Sequence, residues 1–115
     1  MTLEVDGWWG TRTIIALKER FFVQGWSGAV EGQYTPTILA NTALVSSVWH
    51  HSNNPTGDRI ISDLQKYLGV EADGIIGTKT IKALQTKMGT YADGVLTGPS
   101  PCVAEMQRRL NAGTF

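Results

Sequence analysis

The sequence predicts an all-α fold built from small, tandem pseudo-repeated helical lobes joined by short turns or hairpins. Three observations predict it. A twelve-residue segment occurs twice, apolar residues at helical spacing follow each copy, and glycine or proline stands where helices should end or begin. The chain has 115 residues, which is enough for one compact domain or for two small lobes that share a core.

The repeat is the clearest feature of the chain. Residues 6–17 read DGWWGTRTIIAL and residues 73–84 read DGIIGTKTIKAL, so the two copies share Asp, Gly, Gly, Thr, Thr, Ile, Ala and Leu. A weaker glycine-containing copy follows each of them, at residues 27–32 and 93–98. The chain therefore reads as a duplicated half in which each half contains two glycine turns.

The boundary between the halves is predicted from turn-forming residues. Serine, asparagine, proline and glycine cluster at residues 51–57, which is typical of a connection. We therefore place the first repeat at residues 1–52 and the second at residues 53–115. The first repeat begins without a leading helix, because its turn follows the start of the chain almost at once.

Each unit is predicted to be a tight turn followed by a helix. An aspartate side chain can accept hydrogen bonds from backbone N–H groups two or three residues further on, and glycine adopts positive φ without steric cost. These bonds explain the aspartates more simply than ligand binding does, although ligand binding stays open. The predicted turn residues are Asp6, Gly7, Gly10, Asp73, Gly74, Gly77, Asp93 and Gly94.

About five helices are predicted from the apolar spacing, and residues 2–5 are predicted to be extended. Thr35 and Ser100, each followed by proline, should cap two helices, and Thr11 and Thr78 or the glycines before them should cap two more. Glycine should end two of the helices, at Gly69 and Gly89. The apolar stripes are Ile14, Leu17 and Phe21; Ile38, Val45, Val48 and Trp49; Ile61, Leu64 and Leu68; Ile81, Leu84 and Met88; and Val103, Met106 and Leu110.

Composition excludes several classes of partner. Lys plus Arg and Asp plus Glu both number 10, and this balance argues against nucleic acid and anionic membranes, which favour a basic face. No segment has the ~20 apolar residues of a transmembrane helix. The first residues also lack the charged and apolar regions of a signal peptide.

Nothing in the sequence indicates catalysis, a metal or a cofactor. Cys102 lacks an identifiable base, so a buried core thiol is the better interpretation. His50 and His51 point about 100° apart on a helix and are interpreted as solvated residues at a helix end. No pair of carboxylates suggests glycan hydrolysis.

The pattern of a helix, an Asp-Gly-x-x-Gly-x-x-Thr turn and a helix with a Leu-Gln pair resembles the peptidoglycan-binding domain family. The residues that carry it are Leu64 and Gln65, residues 73–80, and Leu84 and Gln85. The duplicated form is similar to the C-terminal wall-binding region of phage endolysins, including those joined to muramidases or amidases. The resemblance covers nearly the whole chain.

This resemblance implies a non-catalytic module that targets a lytic domain to the peptidoglycan of a Gram-positive wall. It would be made in the host cytoplasm and act at the wall after release. Glycan, stem peptide, or both would be the partner, and neither nucleic acid nor a membrane is expected. A binding domain of this kind raises the local concentration of the tethered enzyme at its polymer.

Aromatic and amide side chains are the candidate ligand contacts. Exposed aromatic rings in loops suit a sugar ring or a stem peptide, and amides suit N-acetyl and peptide groups. The glutamines could equally bond the backbone of the neighbouring turn, and the tyrosines could be half-buried. The candidate ligand-binding residues are Trp8, Trp9, Trp26, Tyr34, Gln65, Tyr67, Gln85 and Tyr91.

Two other functions stay open at this point. The chain could be an oligomerisation or structural module that associates with itself or with a full-length endolysin. It could also be a complete small enzyme, such as a muropeptide hydrolase.

Overall fold

The computed structural model describes residues 2–23, 29–51 and 57–115. Within these ranges the fold is mostly helical, with five helices and one small sheet. The helices are α1 (Thr11–Arg20), α2 (Thr35–Ala40), α3 (Arg59–Leu68), α4 (Thr78–Met88) and α5 (Pro101–Ala112), and the strands are β1 (Val30–Gln33) and β2 (Trp49–His51). None of the helices in the described ranges is both long enough and apolar enough to span a bilayer.

The helix ends follow the chemistry of their flanking residues. The Ser100 hydroxyl accepts a hydrogen bond from the backbone N–H of Val103 at 3.2 Å, as a cap should. Gly69 and Gly89 end α3 and α4 in the left-handed conformation, which satisfies the last carbonyls of each helix. The caps before α1 and α4 are the glycines rather than the threonines, and α2 begins at Thr35 itself.

The strictly all-α prediction is wrong in the segment after Pro36. Helix α2 ends at Ala40, because the Asn41 amide turns back and donates to the Thr37 carbonyl at 2.7 Å. The apolar residues beyond it are therefore not on a helix. Trp49 lies on β2, which pairs in parallel with β1 and places Val30 beside Trp49.

The hydrophobic core is continuous across both halves of the sequence. Trp9 and Trp49 meet edge to face at its centre, with ring centroids 5.0 Å apart, and both side chains are buried. Apolar residues of all five helices join them in a single cluster. The division of the chain near residue 52 stays a prediction, since one core serves both sides of it.

The N-terminal segment lies against the C-terminal helix. The Leu3 backbone N–H donates to the Asn111 side chain at 2.6 Å, and the Asn111 amide donates back to the Leu3 carbonyl at 2.7 Å. Arg20 at the end of α1 also donates to the Phe115 carbonyl at 2.7 Å. The beginning and the end of the chain thus share one region of the fold.

Candidate functional site

The three Asp-Gly turns have the same geometry. Oδ1 of Asp6, Asp73 and Asp93 accepts a hydrogen bond from the backbone N–H two residues further on, at 2.9, 3.0 and 3.0 Å. The glycine that follows each aspartate has φ between 77° and 82°, which explains why glycine stands there. These bonds account for the aspartates in structural terms.

A buried glutamine holds the second of these turns. The side-chain oxygen of Gln65 accepts from the Gly74 N–H at 2.8 Å. Its amide nitrogen lies 2.9 Å from Asp73 Oδ1, 3.0 Å from the Ile75 carbonyl and 3.1 Å from the Thr80 hydroxyl. One amide group therefore binds the turn and the following helix together, and we call this arrangement a glutamine clamp.

Gln85 forms the same clamp on the third turn. It accepts from the Gly94 N–H at 2.9 Å and donates to Asp93 at 2.9 Å and to the Val95 carbonyl at 3.0 Å. The hydrogen bond from Gln85, followed by that from the Val95 N–H, lowers the pKa of Asp93 below its usual value. The turn therefore favours the charged carboxylate.

The clamp on the first turn comes from the other end of the chain. Gln107 on α5 accepts from the Asp6 and Gly7 N–H groups, both at 3.0 Å. Its amide nitrogen donates to Asp6 Oδ1 and the Trp8 carbonyl at 3.0 Å and to the Thr13 hydroxyl at 2.9 Å. Helix α5 thus binds the first turn as α3 binds the second and α4 binds the third.

The sequence contains a signal for the pairing of Gln107 with the first turn. Gln65 and Gln85 each stand eight residues before the aspartate that they bind. The residue eight positions after Gln107 is Phe115 rather than an aspartate. Gln107 therefore has no turn at the usual spacing and is left to bind the turn at Asp6.

Three candidate ligand residues are used inside the protein. Trp9 is 0% exposed, and Gln65 and Gln85 are 1% and 3% exposed with their amides bonded to turns. Trp9, Gln65 and Gln85 therefore offer little side-chain surface to a partner, and their role as ligand contacts stays a prediction. The hydrogen bonds of Gln65 and Gln85 support the alternative prediction, in which these amides bond the backbone of the neighbouring turn.

Trp8 is the candidate that reaches solvent in a defined position. Its side chain is 40% exposed, and its ring packs on Gly98, where a Cβ atom would lie only 2.4 Å from the indole. The ring borders a groove of about 380 Å³ that combines apolar and hydroxyl side chains. The other residues lining it are Ile38, Leu39, Thr42, Leu44, Val45 and Ser46.

The other aromatic candidates have different surroundings. Tyr34 precedes α2 and is 55% exposed, and Tyr91 is 85% exposed beside the third turn. Tyr67 is stacked on Phe115 with ring centroids 4.9 Å apart, so its ring belongs to a packed cluster. Trp26 lies outside the described residues.

No family model, no curated protein and no solved structure matches this chain. Its function is therefore inferred from its own residues and their geometry.

His50 is not at a helix end, contrary to the prediction. It lies on β2, and its Nδ1 is 2.8 Å from Glu31 Oε1 across the small sheet. Both side chains are about half exposed. Across residues 2–23, 29–51 and 57–115 no cluster of three or more His, Cys, Asp or Glu side chains could hold a metal ion.

Cys102 is buried in the first turn of α5, and this burial raises the pKa of its thiol to about 11. At pH 8 about one native chain in a thousand then carries the thiolate that reacts with alkylating agents. We expect iodoacetamide to modify the folded protein at least about 100-fold more slowly than the protein in concentrated urea. Equal rates in the two conditions would show that the thiol is accessible and contradict this placement.

Proposed function

We propose that this chain is a non-catalytic domain that binds peptidoglycan and holds the lytic domain of a phage endolysin or bacterial wall hydrolase on a Gram-positive wall. It would act there after release from the host cytoplasm. The observation that carries the proposal is the exposed indole of Trp8, fixed beside a groove that mixes apolar and hydroxyl groups.

The groove suits the chemistry of an N-acetylated sugar. A sugar ring has an apolar C–H face, which packs on an indole, and a rim of hydroxyls, which need hydrogen-bond partners. Thr42 and Ser46 supply hydroxyls along the groove, and Leu39, which is 73% exposed, supplies apolar surface for an acetyl methyl group.

The position of Trp8 is fixed before any ligand arrives. Its backbone N–H donates to Asp6 at 2.9 Å, and its carbonyl accepts from Gln107 at 3.0 Å. Its ring rests on Gly98. Binding to a surface that is already ordered costs less conformational entropy, so a modest contact area can still hold a polymer.

The sequence pattern supports the same proposal. The Asp-Gly-x-x-Gly-x-x-Thr turn and its glutamine are the features by which the chain resembles the peptidoglycan-binding domain family. These residues hold the turn in this structure, since Gln65 bonds both Asp73, which begins the turn, and Thr80 in the helix that follows it. The resemblance thus rests on the residues that build the scaffold rather than on Trp8 and its groove.

Replacing Trp8 with alanine is expected to weaken binding to purified peptidoglycan sacculi by at least about tenfold, because a central aromatic contact would be lost. Cosedimentation of the protein with sacculi at increasing concentration measures this. Val95→Ala is the matched control, since Val95 occupies the same position in the third turn and is 39% exposed. The proposal predicts that this control binds as the unchanged chain does, and equal binding by the Trp8 variant would contradict it.

The function itself is tested by two measurements on the unchanged protein. It should sediment with sacculi, and it should leave their turbidity unchanged. Loss of turbidity would instead favour a small wall hydrolase. Sacculi stripped of secondary wall polymers should be bound equally well, whereas binding that vanishes on stripping would move the ligand to those polymers.

A second candidate function is self-association, or association with a full-length endolysin. The exposed Leu39 and the half-exposed Tyr34, on and beside α2, favour it, because an apolar surface can also pair with a second copy. Light scattering at high protein concentration distinguishes the two functions. A strictly monomeric species would rule out self-association and leave polymer binding as the use of this surface.

A further inference from the structure

We infer that two matched grooves, one beside each full copy of the Asp-Gly turn, bind short peptide ends that carry both an ammonium and a carboxylate group. The inference rests on the proposed function, since the stem peptides of a bacterial wall have this chemistry. It names the component that these grooves read, in addition to the glycan assigned to Trp8.

The rear groove lies beside the second turn and has a volume of about 490 Å³. Glu71, Asp73, Ile75, Thr78 and Lys79 line it. It is open to solvent and large enough for one or two amino-acid residues.

The front groove is built from the equivalent residues of the first turn. Glu4, Asp6, Trp8, Thr11 and Arg12 line it, each standing 67 positions before its counterpart in the rear groove. Its volume is smaller, about 200 Å³, and an indole stands there in place of an isoleucine side chain. The same order of acid, turn, apolar group, hydroxyl and cation thus occurs twice on the surface.

Hydrogen bonds and ion pairs within the fold do not explain why the two grooves share these residues. The side chains of Glu71, Thr78 and Lys79 are exposed and make no hydrogen bond or ion pair with any other residue in the described ranges. The same holds for the side chains of their front-groove counterparts. Elsewhere on α1 and α4 the exposed residues differ between the copies, as at Glu19 and Thr86. The shared residues are therefore explained better by a shared ligand than by stability.

The charges in each groove define the ligand. Glu71 and Lys79 line one cavity, yet they form no ion pair with each other. Lys79 is free to bind a carboxylate, Glu71 an ammonium group, and Ile75 a short apolar side chain. An uncharged glycan would use neither charge, whereas a peptide end with a small side chain uses both.

The third turn provides an internal contrast. Tyr91 stands where the rear groove has Glu71, and Cys102, the second residue of α5, stands where the rear groove has Lys79, the second residue of α4. The groove beside this turn therefore lacks the pair of opposite charges, although its clamp is the same. We expect it to bind no peptide.

The test uses the synthetic peptide alanyl-γ-glutamyl-lysyl-alanine as the probe and amide chemical shifts of the folded chain as the readout. The peptide should shift amides of the first and second turns and leave those of the third unchanged. Lys79→Met should weaken the response of the second turn at least about tenfold and leave the first turn unaffected. Lys82→Met, the same change three residues along α4 at an exposed position outside the groove, should have no effect.

The outcomes separate this inference from the proposed function. If the peptide shifts neither turn, or if the two lysine variants respond alike, the inference is overturned. Sedimentation of the same protein with sacculi then shows whether wall binding persists through other contacts. Peptide binding that depends on Lys79, in a protein that fails to sediment with sacculi, would support the grooves and contradict the proposed function.

Discussion

Replacing Gln107 with methionine is expected to lower the free energy of unfolding by about 3 to 5 kcal/mol. Methionine keeps the length of the side chain but removes five hydrogen bonds, and it leaves the buried Gly7 N–H and Thr13 hydroxyl without a partner. A buried polar group that loses its partner costs about 1 to 3 kcal/mol. Urea unfolding followed by circular dichroism measures the loss.

The neighbouring Arg108→Met provides the control for this change. Arg108 is exposed and bonded to Glu105 at 3.0 Å, and a surface pair of this kind contributes at most about 1 kcal/mol. The two methionine variants should therefore differ by at least about 2 kcal/mol. Equal stability would show that the C-terminal helix does not hold the N-terminal turn.

Replacing Gly74 with alanine is expected to cost about 3 kcal/mol or more, through steric overlap added to backbone strain. A Cβ atom there would lie 2.9 Å from the backbone nitrogen and 3.1 Å from the oxygen of Asp58, and these main-chain atoms cannot move without disturbing the start of α3. Thermal or urea unfolding measures the cost.

Gly69→Ala separates the two causes. Gly69 has the same φ of 77°, but no atom lies within 4 Å of the position that its Cβ would take. Its substitution should cost only the left-handed strain of about 1 kcal/mol. If both variants lose the same stability, close packing of the turn on Asp58 is not what requires Gly74.

The turns and most helices could be predicted because they are determined by residues that are close in sequence. Proline after Ser100 and glycine at Gly69 and Gly89 fix helix ends through the backbone itself. The Asp-Gly turns likewise depend on bonds between residues two apart. Spacing of apolar residues then places the stripes of α1, α3, α4 and α5 in the core.

The segment between Pro36 and Trp49 could not be predicted, because distant contacts decide it. Val45 and Val48 have helical spacing, but α2 ends before Asn41. The Asn41 side chain donates a hydrogen bond to the Thr37 carbonyl and accepts another from the Leu96 N–H at 2.7 Å. The partner of that bond lies 55 residues away. Periodicity within a short window contains no information about it.

The sequence predicted which types of side chain could contact a ligand, but not which of these side chains would be exposed to solvent. Trp8 and Trp9 are adjacent in the same turn, and nothing local decides which of them enters the core. The choice follows from Trp49, whose ring meets Trp9 and whose N–H donates to the Trp9 carbonyl at 2.9 Å. Trp8, whose ring lies on Gly98, stays 40% exposed.

The side chains that hold the turns are distinct from the side chains that project into solvent, and this distinction matters for the proposed binding. Buried glutamines hold the turns, so the side chains that project from them keep fixed positions relative to one another. Several weak contacts to one polymer then act together, because each contact raises the effective concentration of the next. On the proposed function, this would let a small domain stay on an insoluble wall without a deep pocket.

The most direct test follows the indole N–H resonances of the four tryptophans while an N-acetylglucosamine tetrasaccharide is added. Trp8→Phe assigns the Trp8 resonance. The Trp8 signal should move with increasing sugar, and the signals of the buried Trp9 and Trp49 should stay in place. A Trp8 resonance that does not move in a protein that still binds sacculi would contradict the assignment of this indole as the glycan contact.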